Sequence, residues 1–283
     1  MTLPRPGPRP AGEPRAAATG RDSDVHPQKV REKIRTGAWR GPTAGCADGY
    51  VQANLVILPQ SLAYDFLLFC HRNPKPCPLL EVTDPGDAEP RTAAPGADLR
   101  TDLPRYRVYR TGELAQEVTD LKAVWREDLV GFLLGCSFTF DVALQRADIP
   151  VRHVEEGKNV SMYITSRPCR PAGAFTGPLV VSMRPIPARL IPRAVEVTAR
   201  FPFAHGTPVH VGAPEAIGIA DLDRPHFGDA VSIRSGEIPV FWACGVTPQA
   251  VAMHAKPDLM ITHAPGHMFL TDLREEDLAH ALL

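Results

Sequence analysis

No stretch of this 283-residue chain supplies the roughly 18–20 consecutive apolar residues that a bilayer-spanning helix needs. Residues 1–28 are broken repeatedly by Pro, Arg and Asp and lack an apolar signal-peptide core, so the cytoplasm is the expected compartment. Charge of one sign is missing too: 31 basic and 32 acidic residues leave a formal charge of -1. That balance excludes a bulk electrostatic pull toward nucleic acid or an anionic membrane surface. The six cysteines (46, 70, 77, 136, 169 and 244) are widely spaced and form no CxxC pair. They therefore predict neither a disulfide framework nor a structural zinc site. Aromatic residues are sparse at 7%, and neither GxxxxGK[ST] nor GxSxG occurs.

Proline and glycine are abundant, at 30 and 22 residues. They favour rigid turns and short elements over long helices. Residues 1–28 read as a non-periodic tail, with the folded region over 29–283. Val30–Ile34 predicts a short helix ending near Gly37. Leu55–Leu58 predicts an extended run, followed by a helix capped at Ser61 that carries Leu62, Phe66 and Phe69 on one stripe. The prolines of 71–78 end it. Strands are expected at Leu79–Thr83 and Arg105–Tyr109, across an acidic loop from Asp84 to Asp102, and a helix over 121–135 with Asp120 as its cap. Further strands are expected at Ser161–Thr165, Leu179–Met183, Leu190–Thr198, Val209–Val211, Val231–Ile233 and Phe241–Ala243, then a helix at Gln249–Ala255. The fold class is α/β, a compact core with a smaller strand-rich subdomain within about 105–200.

Four segments carry side chains suited to chemistry. In GCSFTFDVAL (135–144), Cys136, Ser137, Thr139 and Asp141 converge if the chain turns sharply into a helix. Asp141 then orients a donor, acts as a base or caps the helix; Ser137 is a poor nucleophile candidate outside GxSxG. In TSRPCRPAGAFTGPLVVSMRP (165–185), Arg170 and Arg184 are candidate carboxylate anchors, and an internal Arg–Asp pair is the competing reading. Cys169, between Arg167 and Arg170, is either thiolate-like or an inert loop residue. In the segment 203–225, His205 and His210 are candidate proton carriers, and with Glu215 they leave open a divalent-metal site of no recognised spacing.

The richest stretch joins GEIPVFWACGVTPQAV (236–251) to ITHAPGHMFLTD (261–272). Cys244 is a candidate nucleophile or acid, or a small buried hydrophobe, with Thr247 and Gln249 beside it as substrate ligands. Pro265 and Gly266 keep His263 and His267 off a common helix face and place them on a loop. There, one of them with Asp272 forms an acid/base–orienter pair.

Six irregular strings make the chain resemble a bacterial hydro-lyase family related to D-glutamate cyclase. They are RGPTAGCADGYVQANLVILP (40–59), FCHRNPKPCPLLE (69–81), GCSFTFD (135–141), TGPLVVSMRP (176–185), GEIPVFWACGVTPQ (236–249) and THAPGHMFLTD (262–272). The resemblance spans about Val30–Leu283. It implies two intimately packed α/β parts, a three-layer core and a smaller two-layer unit. It also implies water addition to or elimination from a small amino or hydroxy carboxylic acid, or cyclisation of D-glutamate to 5-oxo-D-proline. Both reactions anchor a carboxylate and protonate a departing oxygen. Cysteine-dependent amidohydrolysis through Cys244 and a non-catalytic carboxylate sensor or carrier stay open. No cofactor is expected, no partner other than the small acid is predicted, and self-association is left open.

Overall fold

The computed structural model describes residues 25–280 and contains two antiparallel sheets interleaved with helices. Residues 1–24, most of the expected tail, lie outside the described residues, whereas Pro27 and Gln28 already belong to the first helix, α1 (Pro27–Arg35). The strands are β1 (Tyr50–Pro59), β2 (Leu79–Val82), β3 (Tyr106–Arg110), β4 (Glu113–Val118), β5 (Leu129–Gly135), β6 (Ser161–Pro168), β7 (Pro178–Pro187), β8 (His210–Val211), β9 (Glu237–Ala243), β10 (Met260–His263) and β11 (Phe269–Arg274). The remaining helices are α2 (Gln60–Arg72), α3 (Phe138–Arg146), α4 (Arg152–Glu155), α5 (Ile191–Ala199), α6 (Val246–His254) and α7 (Glu275–His280).

The large sheet runs β2-β5-β1-β10-β3-β4, with β11 also paired to β1. β1 is its spine. It bonds β5 along Ala53–Pro59, and its other edge is shared by β11 near Tyr50–Ala53 and β10 at Val56–Ile57. One face is covered by α2 and α6, whose Phe66, Phe69, Val251 and Ala252 pack on Val56, Phe132 and Met260. The opposite face is covered by the loop after β2, through Ala93, Ala94, Leu99 and Leu103. The acidic loop is thus a packed layer, irregular but apolar on its inner side. α1 lies against β11 and is held by two arginines one turn apart. Arg31 grips Asp272 with two bonds of 2.9 Å, and Arg35 grips the buried Asp102 at 2.7 and 2.6 Å.

The small sheet, β6-β7-β9-β8, draws its strands from 161–243 rather than from the 105–200 stretch expected for a smaller subdomain; β3 and β4 belong to the large sheet. Alternation along β7 sends Val181 and Met183 to a cluster with Tyr163 and Phe241. Ser182, Arg184 and Ile186 project to the other side, where Ile186 joins Phe140 and Leu144 of α3, Ala194 of α5 and Trp242 of β9.

Several elements differ from the expectation, each for a physical reason. Residues 129–135 form a strand, not a helix: every residue of β5 is buried, and a central strand covered on both faces loses the alternation that marks a half-exposed one. Asp120 caps only a turn, its carboxylate accepting from Lys122 N at 3.1 Å. The reverse error occurs at Leu190–Thr198, where the β-branched run is α5, with Pro in its first turn and Ala194 and Thr198 buried one turn apart. α2 starts at Gln60 behind Pro59, so Ser61 is not its cap. Val231–Ile233 forms no strand, while β4, β10 and β11 arise from short segments the pattern does not resolve.

One glycine decides how the two halves meet. A Cβ on Gly135 would lie 1.6 Å from the carbonyl oxygen of Phe203, so only glycine lets the 202–204 turn press on the end of β5. Gly135→Ala is expected to lower stability by about 3 kcal/mol or more, read as a reduced urea midpoint. A midpoint equal to that of the unmodified chain would show that the two segments separate freely.

Candidate functional site

Two strand-to-helix turns of the same design meet between the sheets. β5 of the large sheet ends at Gly135, passes Cys136 and Ser137, and enters α3, which packs on the small sheet. β9 of the small sheet ends at Ala243, passes Cys244 and Gly245, and enters α6, which packs on the small sheet through Val246 and Ala250 and on the large sheet through Val251 and Ala252. Asn54 of β1 stands between the turns: its amide donates to Gly135 O at 2.8 Å, and a Cβ on Gly245 would lie 2.3 Å from that same amide nitrogen. Phe138 of α3 packs in the cluster around Cys244. Ser137 and Gly245 supply no side-chain cap, and the first N–H groups turn back to the cysteines instead: Thr139 N donates to Cys136 O at 3.2 Å and Thr247 N to Cys244 O at 2.9 Å. The positive dipole ends of both helices still point at the junction.

Arg184 locks the first turn. Its guanidinium is fully buried and bonds Asp141 through Nε at 2.7 Å and Nη2 at 3.0 Å, Ser182 Oγ at 2.9 Å and Ser137 Oγ at 3.2 Å. Its charge also lies 4.8 Å from the Phe140 ring centre and 5.4 Å from that of Trp242. The arginine–aspartate reading therefore holds, and Arg184 has little left to offer a substrate carboxylate. Asp141 in turn receives His153 Nε2 at 3.3 Å. Arg184 and His153 overcome the cost of burying Asp141 and hold its carboxyl down at about 2.

The other expected site residues divide by location. Ser137 and Thr139 lie at the α3 start, both buried, and Thr139 Oγ1 has no hydrogen-bond partner. Burial pushes the thiol of Cys136 up to about 12 and that of Cys244 up to about 11. Both stay protonated at neutral pH, which disfavours Cys244 as an activated nucleophile. The hydroxyl of Thr247 is spent on the backbone of β7, accepting from Val180 N at 3.0 Å and donating to Val180 O at 3.2 Å. The amide of Gln249 stands 2.9 Å from His263 Nδ1, which also accepts from Leu55 N at 3.1 Å. Desolvation lowers the buried His263 to about 4. His267 turns its Nδ1 to Pro265 O at 3.0 Å, and burial lowers its pKa as well.

Asp272 is not brought to either histidine; both of its carboxylate oxygens are taken by Arg31. Arg170 is exposed, and its backbone is clamped by Asn73 at 2.8 Å. The His205/His210/Glu215 set does not assemble. His205 Nδ1 lies 2.7 Å from Lys75 O, His210 Nε2 lies 2.9 Å from Ala213 O, and Glu215 is exposed. Among the described residues, no group of three or more His, Cys, Asp or Glu is placed to hold a metal ion. His153 carries no signal in the sequence, because only the fold brings α4 to Asp141, and the equivalence of Cys136 to Cys244 lies in their matching places between a strand end and a helix start. A cleft of about 250 Å³ elsewhere is lined by Asp87, Glu89, Asp98 and Arg100, a carboxylate-rich surface that disfavours an anionic ligand.

Interleaved sheets, a buried Arg–Asp brace and paired helix starts define the class structurally, and comparison with known proteins gives it a family. A family model described as D-glutamate cyclase matches residues 130–272, which include both turns and Arg184. The chain belongs to that family. It is 65% identical over 255 residues to a protein of Stutzerimonas stutzeri named "Putative hydro-lyase", covering 90% of this chain and 96% of that one. A protein of the same description from Thermoanaerobacter sp. is 65% identical over 256 residues, covering 90% and 97%. One from Bacillus subtilis is 62% identical over 253 residues, covering 89% and 98%. A solved nitrogen repressor-like protein from Methanococcus jannaschii aligns with a TM-score of 0.36 at 10% identity over 83% of this chain and 90% of that chain, too weak a likeness to define a shared fold. No helix among the described residues is long and apolar enough to cross a membrane.

Burial makes stability depend on pH in a defined direction. His205 and His263 both fall to about 4 from 6.5, so each is neutral in the folded state where the unfolded chain would bind a proton. Their contribution, on the order of 3 kcal/mol each, is complete above pH 6.5 and is lost as pH falls from 6.5 through 4. Urea unfolding at pH 7 and pH 5 is expected to show a large loss at the lower pH, smaller in His263→Gln. Equal midpoints at the two pH values would contradict the burial of these neutral rings.

Proposed function

We propose that the chain is a lyase that adds water to, or removes it from, a small amino or hydroxy carboxylic acid. The reaction centre is the junction of the β5–α3 and β9–α6 turns. The observation that carries this reading is the meeting of two cysteine-bearing strand-to-helix turns around Asn54. The positive dipole ends of α3 and α6 favour a carboxylate at this junction without a dedicated cation, since Arg184 is already engaged by Asp141. The names of the relatives and the family description agree in kind, since hydration, dehydration and ring closure all move a water-derived oxygen next to a carboxylate.

Three things are asked of such a site. The carboxylate must be held, a leaving oxygen must be protonated, and a proton must be taken from carbon or nitrogen. Two protonated thiols, Cys136 and Cys244, flank the helix starts and suit the second task. The Asp141–Arg184 brace suits none of them directly. It is a positioning pair that fixes where the α3 start and Ser137 sit. His263 and Gln249, bonded to each other on the α6 side, are assigned to orientation of the substrate rather than to proton transfer.

The second reading is ring closure of an acidic amino acid, favoured by the description of the matching family model. It uses the same anchor and the same proton donors, with the amine attacking the distal carboxyl and water leaving.

The test is a turnover screen by NMR against amino and hydroxy carboxylic acids that include D-glutamate, run before and after chelation. Loss or addition of water on a carbon skeleton is expected. Formation of 5-oxo-D-proline alone would replace the lyase with the cyclase. Shifts without turnover across the panel would indicate a binding protein, and activity restored only by a divalent ion would require a metal at the site.

A further inference from the structure

The segment Phe201–His205 follows α5 and ends in a strained residue. Pro202–Ala204 makes one tight turn, and His205 then adopts a left-handed backbone with φ 80°. For a residue with a Cβ this conformation is unfavourable and persists only where the surroundings enforce it. The enforcement is visible. His205 Nδ1 lies 2.7 Å from Lys75 O, while the Lys75 ammonium reaches forward to Thr207 O at 2.7 Å and Thr207 Oγ1 at 2.8 Å. Residue 75 and residues 205–207 thus clamp each other from both directions.

The clamp fixes the proton on the ring. A carbonyl can only accept, so Nδ1 carries the hydrogen and Nε2 is left with a bare lone pair. The residue is only 1% exposed, and Nε2 has no hydrogen-bond partner. Buried polar atoms are almost always satisfied, so an orphaned acceptor on a strained residue needs an explanation. Its place supplies one. The contact between Gly135 and Phe203 O sets the 202–204 turn against the start of the Cys136 turn. Arg184 is close enough for its charge to help suppress protonation of the ring, after desolvation. Two further orphans lie at α3: Thr139 Oγ1 in its first turn, and Nδ1 of His153, whose other nitrogen faces Asp141.

We propose that His205 is the general base of the reaction, taking a proton from the carbon next to the carboxylate through Nε2. This rests on the lyase reading above. In the dehydration direction the C–H electron pair becomes the new C=C bond as the neighbouring C–O bond breaks. The departing oxygen takes a proton from a thiol of the Cys136/Cys244 pair and leaves as water. The imidazolium returns its proton through solvent to the thiolate, so that the net change is loss of water.

His205→Asn in the full chain tests this. Asparagine tolerates the left-handed backbone, and its amide N–H can still donate to Lys75 O, but it cannot act as a base. A purely structural histidine would therefore survive the change. The expected result is an unchanged melting temperature, with turnover of the acid that the unmodified protein converts reduced 10²- to 10⁴-fold. Exchange of that acid's α-hydrogen in D₂O should fall with it. Undiminished turnover and exchange in the variant would overturn the role of His205 while leaving the lyase intact. Absence of both turnover and α-hydrogen exchange in the unmodified protein would overturn the lyase and the base together. Should the variant fail to fold, ¹⁵N NMR of the unmodified protein decides the point. The proposal requires an Nδ1–H ring with unprotonated Nε2 at pH 7, and a hydrogen on Nε2 would exclude it.

Discussion

Everything about the placement of the site depends on a buried arginine meeting a buried aspartate. Taking Arg184 and Asp141 out of water carries a desolvation penalty of several kcal/mol per ion, which a lone Coulomb contact need not repay. Here the repayment is geometric. Two parallel bonds join the guanidinium to the carboxylate, the hydroxyls of Ser182 and Ser137 take further N–H groups, and the rings of Phe140 and Trp242 face the charge. Each partner comes from a different element, Arg184 from β7 and Asp141 from the first turn of α3. The pair therefore fixes the helix rotationally over the small sheet, and its starting residues follow. An aliphatic substitute of equal volume would pack, but it would not specify which turn of α3 lies over β7.

That constraint explains the crossing of the two halves. α3 leaves the large sheet to cover the small one, and α6 leaves the small sheet to bridge it to the large one, so both helix starts lie at the boundary. Asn54, bonded to Gly135 and held against Gly245, fills the gap with a short side chain whose amide donates to a backbone carbonyl oxygen at close range. The thiols fall at the same place in both turns because each strand ends one residue before its cysteine and each helix begins two residues after it. A boundary between two sheets built this way gathers two positive helix ends and, in the proposed mechanism, weak acids and a shielded base without needing a long loop.

Much of this was legible in the residues, and the reasons for the rest are specific. The meeting of Ser137 and Asp141 on Arg184 follows from a sharp turn into a helix, which leaves the Thr139 hydroxyl without a partner, and the Arg–Asp alternative for Arg184 is open from the sequence. What remained hidden was pairing across the chain. Asp272 reads as an orienter because it lies near His267 in sequence, yet strand β11 delivers it to Arg31, 241 residues away. β5 was misread because full burial on both faces erases period-two alternation, and α5 because β-branched side chains imitate a strand until tertiary packing chooses otherwise. His205 was visible as a histidine, but not its strained backbone or bare nitrogen, since both are imposed by Lys75, 130 residues upstream.

The protonation pattern links these features to the chemistry. Acid–base catalysis at one pH requires donors that stay protonated beside acceptors that stay bare, and environment alone must separate them. Burial does this in both directions at once. It raises the thiols of Cys136 and Cys244, keeping their protons, and lowers His205 and His263, removing theirs. Asp141 escapes the same burial only because Arg184 and His153 stand against it, so the one fixed negative charge lies where the brace needs it. Neutral acids and a neutral base around two positive helix ends favour a charged ligand over a charged protein group. The charge such a site lacks is the one a carboxylate brings.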